Sequence, residues 1–267
     1  MNRLDDILSR LREQRRSGLV CYFTAGDPDF STSLALLRSL GAAGADVIEL
    51  GLPFSDPVAD GPSIQAAHLR ARAAGQTVAR TLDLVAALRE TDVSTPVVLM
   101  GYLNPVMQYG VDAFMSDAAR VGADALLLVD LPVEHAAPYR ESARVAGLHL
   151  IAMTAPTSDD LRIGQVLHEA SGFVYHTAVV GTTGVTHCVP AEVGKAITRV
   201  RRHTTLPVAA GFGIRDAAQA QALAGTADLI VVGSQLIELL ASQGVEEVRQ
   251  AVRRYAECLE ERSTSVG

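Results

Sequence analysis

Two carboxylates, Glu49 and Asp60, occupy positions from which acid–base chemistry could be carried out. Glu49 follows a short apolar run, residues 44–48, that shows no polar alternation, which is typical of a strand covered on both faces. The three prolines and two glycines within residues 51–62 forbid regular structure there, so Asp60 lies in a long loop that leads into a helix. A carboxylate at a strand end and a second in the following loop form a candidate acid–base pair.

The rest of the chain repeats one strand–helix unit. Eight short apolar runs, from Leu19–Phe23 to Leu229–Val232, are each followed by a helical stretch. This pattern, with no Gly-x-Gly-x-x-Gly turn after the first strand, favours a closed parallel barrel over a doubly wound open sheet. We therefore predict an α/β protein with a single (β/α)8 TIM-barrel domain over residues 1–267. An extra N-terminal helix and a short phosphate-binding helix after the eighth strand complete the predicted fold.

The active site of such a barrel is built from the loops that follow its strands. Glycine-containing loops follow the last two predicted strands, at Gly211–Ile214 and Gly233–Ile237, and Gly181–Gly184 could supply a third wall. Small residues let backbone N–H groups approach an anion, and a helix N-terminus favours negative charge. Each loop alone could reflect tight barrel packing, but these strand ends are the usual phosphate site of the architecture. The sequence therefore predicts phosphate binding.

Each candidate side chain also has a structural interpretation. Glu49 could form an ion pair across the barrel mouth, but a carboxylate in an apolar mouth would have a raised pKa and could exchange protons near neutral pH. We therefore predict a catalytic Glu49. Asp60 alone could brace its loop by bonding nearby backbone, and Asp56 fits that structural interpretation better still. Tyr175 could be a packed aromatic residue of the core.

Composition narrows the class of protein. A net charge of −7 without a basic stripe argues against nucleic-acid binding. The three cysteines are odd in number and far apart, which suits free thiols in a reducing compartment. No apolar run approaches the ~20 residues needed to span a bilayer, so we predict a cytoplasmic protein with no membrane partner. No standard zinc spacing joins His176, His187 and Cys188, and we predict no metal site.

Several longer motifs resemble the α subunit of tryptophan synthase, over essentially the whole chain. The most specific is Pro-Phe-Ser-Asp-Pro-Val-Ala-Asp-Gly-Pro at residues 53–62. The other matching segments are Phe23–Pro28, Ile64–Gln65, Asn104–Pro105, Asp130–Pro132, Thr183–Gly184 and Gly211–Ile214. Tyr22, Thr182 and residues 176–178 depart from the residues that the family usually has there. The departures flank the predicted closing loop and leave the reaction unchallenged, but they make regulation by a partner an open question.

The resemblance implies a retro-aldol cleavage of indole-3-glycerol phosphate to indole and glyceraldehyde 3-phosphate, in tryptophan biosynthesis. Glu49 would protonate indole C3 and assist removal of the C3′ hydroxyl proton, and Asp60 would stabilise positive charge at the indole nitrogen. Tyr175 would shape the site, and Thr183 would bond Asp60 on loop closure. The substrate-binding residues carried over are Tyr22, Met100, Leu127, Thr183 and Phe212. The phosphate-binding residues carried over are Gly184, Gly213, Gly233 and Ser234.

The resemblance also implies a partner. The family's α subunit docks on a β subunit that carries pyridoxal phosphate and receives the indole, so an α2β2 heterotetramer is expected and the chain itself needs no cofactor. The interface residues carried over are Pro53, Asp56, Tyr102, Asn104 and Pro132. A stand-alone lyase that releases free indole is the alternative with the same chemistry. A catalytically idle barrel that only activates a β subunit is disfavoured by the intact Glu49 and Asp60.

Overall fold

The computed structural model describes residues 2–177, 190–211 and 214–264, and its strands are all parallel. The strands are β1 (Gly18–Thr24), β2 (Val47–Gly51), β3 (Val97–Gly101), β4 (Ala125–Leu128), β5 (His149–Leu150), β6 (Ala152–Thr154), β7 (Val174–Thr177), β8 (Val208–Gly211) and β9 (Leu229–Val232). The first helices are α1 (Arg3–Glu13), α2 (Phe30–Ala43), α3 (Pro62–Ala73), α4 (Val78–Arg89), α5 (Leu103–Tyr109) and α6 (Val111–Val121). The later helices are α7 (Ala136–Ala146), α8 (Asp160–Leu167), α9 (Pro190–Val200), α10 (Ala217–Leu223), α11 (Ser234–Gln243) and α12 (Val245–Thr264).

The sheet closes into a barrel through one interrupted strand. Its order is β5-β4-β3-β2-β1-β9-β8-β7-β6, so β5 and β6 lie at opposite ends of the order. Only Ile151 separates them in the chain, and its N–H still donates to the Leu126 carbonyl of β4 at 2.9 Å. The β5 and β6 segments therefore form one barrel strand, and the predicted (β/α)8 TIM barrel is confirmed.

Buried or half-buried aspartates tie neighbouring strands together at the amino-terminal end of the barrel. Each stands just before a strand and accepts a hydrogen bond from a backbone N–H in the first two residues of the adjacent strand. The pairs are Asp46 with Leu19, Asp124 with Val97 and Asp228 with Val208, each at 2.8 Å. These carboxylates are engaged by backbone and by arginines such as Arg16 and Arg89, so they are structural. Carboxylates available for catalysis are therefore expected at the opposite, carboxyl-terminal end of the barrel.

The predicted N-terminal helix is present as α1 and lies against the amino-terminal end of the barrel. Asn2 caps it by accepting the Leu4 N–H, and its amide also donates to the Asp124 carbonyl at 2.8 Å. The apolar face of α1 joins the core cluster, because Leu4, Ile7, Leu8 and Leu11 are buried. Among the described residues, no helix is both long enough and apolar enough to cross a membrane.

Three elements differ from the pattern predicted for them. Helix α5 occupies residues 103–109, where only a strand-ending loop was expected; Pro105 is tolerated because it stands in the first turn, where its missing N–H is not needed. The Asp130 carboxylate accepts the N–H that begins this helix, from Leu103, at 2.7 Å. The polar residues 262–267 predict a tail without regular structure, but helix α12 reaches Thr264. The predicted short helix after the last strand is α11, which has 10 residues.

Candidate active site

Glu49 is a buried carboxylate at the centre of the candidate site. It lies in β2, in register with Tyr22 of β1, and its side chain is 1% exposed. Neither carboxylate oxygen has a hydrogen-bond partner among the described residues. Burial first, and the charge of Asp60 second, raise the pKa of Glu49 to about 8. The raised pKa expected from the sequence is thus confirmed, and the protonated group can donate a proton at neutral pH.

Asp60 is equally buried, with 2% exposure, but its side chain accepts a hydrogen bond. The Tyr102 hydroxyl donates to its Oδ2 at 2.8 Å, and Nε2 of His68 lies 3.4 Å from the same oxygen. The backbone is held as well, because the Gln65 amide donates to the Asp60 carbonyl at 2.7 Å. The two buried carboxylates therefore differ in environment, since within the described part of the chain Asp60 accepts a hydrogen bond and Glu49 accepts none.

Tyr102, predicted as a partner-interface residue, also contacts the Asp60 carboxylate. Its side chain is 2% exposed, and besides donating to Asp60 its hydroxyl accepts the Ala59 N–H at 3.1 Å. Pro53, assigned to the same surface, is also buried. Both side chains turn inward because the loop between β2 and α3 folds over the end of the barrel. The remaining interface candidates, Asp56, Asn104 and Pro132, are exposed.

Two buried tyrosines, Tyr22 and Tyr175, extend toward glycines in neighbouring strands. A Cβ at Gly51 would fall 2.4 Å from the Tyr22 hydroxyl oxygen, and a Cβ at Gly211 would fall 2.2 Å from that of Tyr175. Because Gly51 and Gly211 have no side chains, the rings of Tyr22 and Tyr175 can occupy this space. Burial raises the pKa of each phenol, reinforced in Tyr175 by the charge of Glu49 and in Tyr22 by that of Asp60. Both hydroxyls therefore stay protonated beside the carboxylates.

The apolar residues predicted for substrate binding share a face with Glu49. Met100 is in register with Gly51 on one side and with Leu127 on the other. Residues two apart in a strand project to the same face, so Met100 and Leu127 lie on the Glu49 side of the sheet. Met100 is 6% exposed and Leu127 is 0% exposed, and together they form an apolar wall.

Two of the predicted phosphate-binding residues lie together at the start of α11. Gly233 is the N-cap and makes no side-chain cap, and its carbonyl accepts the N–H groups of Leu236 and Ile237. The N–H groups of Ser234 and Gln235 precede that hydrogen-bond ladder, as the first N–H groups of a helix do. A Cβ at Gly233 would lie 3.3 Å from Tyr22, so the glycine brings the helix start close to the ring. The other predicted contacts, Thr183, Gly184, Phe212 and Gly213, lie outside the described residues.

One site residue, His68, was not predicted. It lies on the buried face of α3 with Ile64, Ala67 and Ala71, and its ring reaches Asp60. The available signal was a polar residue at helical spacing among apolar ones, shortly after the loop that carries Asp60. Such a histidine has to find partners in the interior, because burying an unpaired polar group is costly.

Comparison with known proteins shows the family of this chain. The family described as "Tryptophan synthase alpha chain" matches residues 8–266. The chain is similar to the solved tryptophan synthase subunit alpha of Legionella pneumophila, with 34% identity and a TM-score of 0.89 over 98% of this chain and 99% of that one.

Two further solved structures are similar to the chain. A tryptophan synthase structure from Mycobacterium tuberculosis is 33% identical, with a TM-score of 0.89 over 97% of this chain and 98% of that one. A protein of Aquifex aeolicus is 33% identical, with a TM-score of 0.90 over 97% and 99% of the two chains. The chain therefore belongs to the tryptophan synthase alpha chain family, lyases that cleave indole-3-glycerol phosphate to indole and glyceraldehyde 3-phosphate.

Proposed function

We propose that Glu49 is the general acid–base of this cleavage and that Asp60 is its electrostatic partner. The observation that carries the proposal is the contrast between two neighbouring buried carboxylates. Glu49 has no hydrogen-bond partner among the residues that the structure describes and a pKa raised to about 8, whereas Asp60 accepts the Tyr102 hydroxyl and lies 3.4 Å from Nε2 of His68. Retro-aldol cleavage needs one group that gives and takes a proton and one that stays negative.

The steps of the reaction follow from a protonated Glu49 and a negatively charged Asp60. Protonated Glu49 donates to indole C3, and the positive charge that develops on the ring nitrogen is stabilised by the Asp60 anion. The resulting Glu49 carboxylate then takes the proton of the C3′ hydroxyl. The C3–C3′ bond breaks as the C3′ aldehyde forms, and its electron pair returns to the ring and neutralises it. Indole and glyceraldehyde 3-phosphate leave, and Glu49 is protonated again.

The remaining contacts bind and orient the substrate. We propose that Met100 and Leu127 pack against the indole ring, with Tyr22 and Tyr175 bounding the same space. Gly233 and the N-terminus of α11 are proposed to hold the phosphate, since unpaired N–H groups at a helix start attract anions. Thr183, Gly184, Phe212 and Gly213 are proposed to complete the site as the family motifs imply.

We propose a β subunit of tryptophan synthase as the partner, in an α2β2 assembly, with pyridoxal phosphate bound only by that partner. The similar M. tuberculosis structures are titled tryptophan synthase rather than one subunit, which supports the pairing. The exposed Asp56, Asn104 and Pro132 follow β2, β3 and β4, so they cluster at the carboxyl ends of adjacent strands and offer one continuous docking face. The buried free thiol of Cys21 fits a cytoplasmic, reducing location.

The test is indole release from indole-3-glycerol phosphate, measured on the purified protein alone and then with a β subunit added. We expect slow release alone and an increase of at least about tenfold with the partner, as expected for a coupling of 1–3 kcal/mol. An inactive β subunit that still binds is the control for simple product removal. Fast release that the partner does not change would contradict partner dependence and identify a stand-alone lyase.

The reaction should also depend on pH through Glu49. Because the acid form is required and the pKa of Glu49 is about 8, kcat/KM is expected to stay level up to about pH 8. Above that it should fall roughly tenfold per pH unit, since the essential acid loses its proton. The profile is measured between pH 6 and about pH 10 in buffers of constant ionic strength. A profile whose decline begins near pH 5 would contradict the protonated state of Glu49.

A further inference from the structure

His68 is placed where its two ring nitrogens face two different parts of the same loop. Its side chain is 2% exposed and stands on the apolar face of α3. The Phe54 N–H donates to its Nδ1 at 3.1 Å, so Nδ1 acts as the acceptor and carries no proton. A neutral imidazole has one N–H, and in this tautomer it is on Nε2.

That nitrogen lies close to the Asp60 carboxylate. Nε2 is 3.4 Å from Oδ2 of Asp60, and this buried nitrogen makes no hydrogen bond within the described part of the chain. Oδ2 is also the oxygen that accepts the Tyr102 hydroxyl at 2.8 Å. Catalytic hydrogen bonds are often long before substrate binds and shorten in the complex. The Asp60 anion thus has one donor at normal hydrogen-bonding distance and a second in position to tighten.

The same ring also joins the two ends of the loop between β2 and α3. Phe54 lies near the start of the irregular segment, residues 52–61, and Asp60 lies near its end, and His68 contacts both. Next to Asp60, the Ala59 N–H donates to the Tyr102 hydroxyl. The position of the carboxylate is therefore coupled to the conformation of the whole loop through two side chains from different elements, His68 in α3 and Tyr102 after β3.

We propose that His68 is a positioning residue for the reaction, one that fixes the charged Asp60 carboxylate beside Glu49 through its Nε2–H while anchoring the loop through Nδ1. The proposal rests on the proposed role of Asp60. It implies that the donor to Asp60 governs turnover and that the bond to Phe54 governs loop stability. Neither function requires His68 to touch the substrate, so substrate affinity should change little.

Three variants of the full chain separate these functions. His68→Gln can keep a donor near Asp60, His68→Asn can keep an acceptor for the Phe54 N–H but places no donor near Asp60, and His68→Leu keeps neither. We expect His68→Asn and His68→Leu to lower kcat at least about tenfold, since a hydrogen bond to a charged group is worth that much. We expect His68→Gln to recover most of the rate and the Kd of glycerol phosphate to stay within about twofold.

Thermal unfolding and an exposed control complete the design. His168→Asn, at the exposed end of α8, carries the same substitution away from the site and should leave kcat unchanged. A His68→Asn protein with a lower Tm but parental kcat would overturn the proposal, as would a His68→Gln protein as slow as His68→Asn.

Asp60→Asn distinguishes failure of this inference from failure of the proposed function. If Asp60→Asn keeps the parental kcat, the role of Asp60 is wrong and so is that of His68. If Asp60→Asn is slow and His68→Asn is not, only the inference about His68 is wrong. In the Asp60→Asn background, His68→Asn should lower kcat less than about twofold, because distant independent effects add and coupled ones do not.

Discussion

Replacing Glu49 with glutamine is expected to lower kcat for indole release by at least about 100-fold, the low end for loss of a general acid–base. Glutamine fills nearly the same volume but cannot give a proton to indole C3 or take one from the C3′ hydroxyl. Steady-state release from indole-3-glycerol phosphate measures the effect, with the exposed Glu141→Gln as the matched control. A Glu49→Gln protein with near-parental kcat would remove Glu49 from the mechanism.

The same substitution should not destabilise the protein, which separates lost chemistry from lost fold. The pKa of Glu49 is about 8 in the folded chain against a usual 4.5, so between these values the unfolded chain has released a proton that the folded chain keeps. Stability therefore falls as pH rises through this window, by at most ~1.4 kcal/mol per pH unit. Glutamine has no such dependence, so its advantage in urea unfolding should grow from pH 5 to about pH 8. A Glu49→Gln protein less stable than its parent at pH 8 would contradict the unfavourable burial of this carboxyl.

Replacing Asp60 with asparagine is expected to lower kcat by about 100-fold, the size of effect seen when one preorganised electrostatic group is removed from a transition state. Asparagine can still accept hydrogen bonds from Tyr102 and His68, so the loop should keep its position, but it carries no charge to stabilise the developing cation. The Kd of glycerol phosphate should stay within about twofold of the parent value, because the phosphate is proposed to bind at Gly233 and α11.

Two measurements make the Asp60 result specific. Asp6→Asn, at an exposed position of α1 at the far end of the barrel, should leave both kcat and the Kd of glycerol phosphate unchanged. The pKa of Glu49 should fall in Asp60→Asn, because the Asp60 charge contributes to raising it, so the decline in kcat/KM should begin at lower pH. An unchanged rate, or loss of rate matched by loss of phosphate affinity, would refute the electrostatic role.

The alternation of strands and helices was predictable because it depends on properties that each segment carries by itself. Apolar runs without polar alternation, each followed by a helical stretch, and the lack of a dinucleotide-binding turn were enough to predict the barrel. Helix α5 was missed because Pro105 suggests a break, although proline is compatible with the first turn of a helix. The interruption at Ile151 leaves no local signal, since it reflects the closure of the ring between β5 and β6.

The candidate site also contains some residues that the sequence predicts and others that only the structure shows. Glu49 was found from its place at a strand end, and its raised pKa followed from the expectation of an apolar mouth. The contacts of Tyr102 and His68 with Asp60 could not be predicted from the sequence, because each contact depends on the direction in which one side chain points. Tyr102 follows β3, where its ring could have faced a partner or the interior, and its burial against Asp60 is decided by how the loop folds over the barrel.

The sequence alone determined the barrel and the two carboxylates proposed as its acid–base pair, since both rest on residue type and spacing along the chain. Tertiary structure decided that the pKa of Glu49 is raised. Both carboxylates are buried, and among the described residues Asp60 accepts the Tyr102 hydroxyl and has His68 nearby, whereas Glu49 has no hydrogen-bond partner. A protonation state depends on the distances to neighbouring charges and donors, and those distances join residues from β2, α3 and the end of β3 that are brought together only by folding.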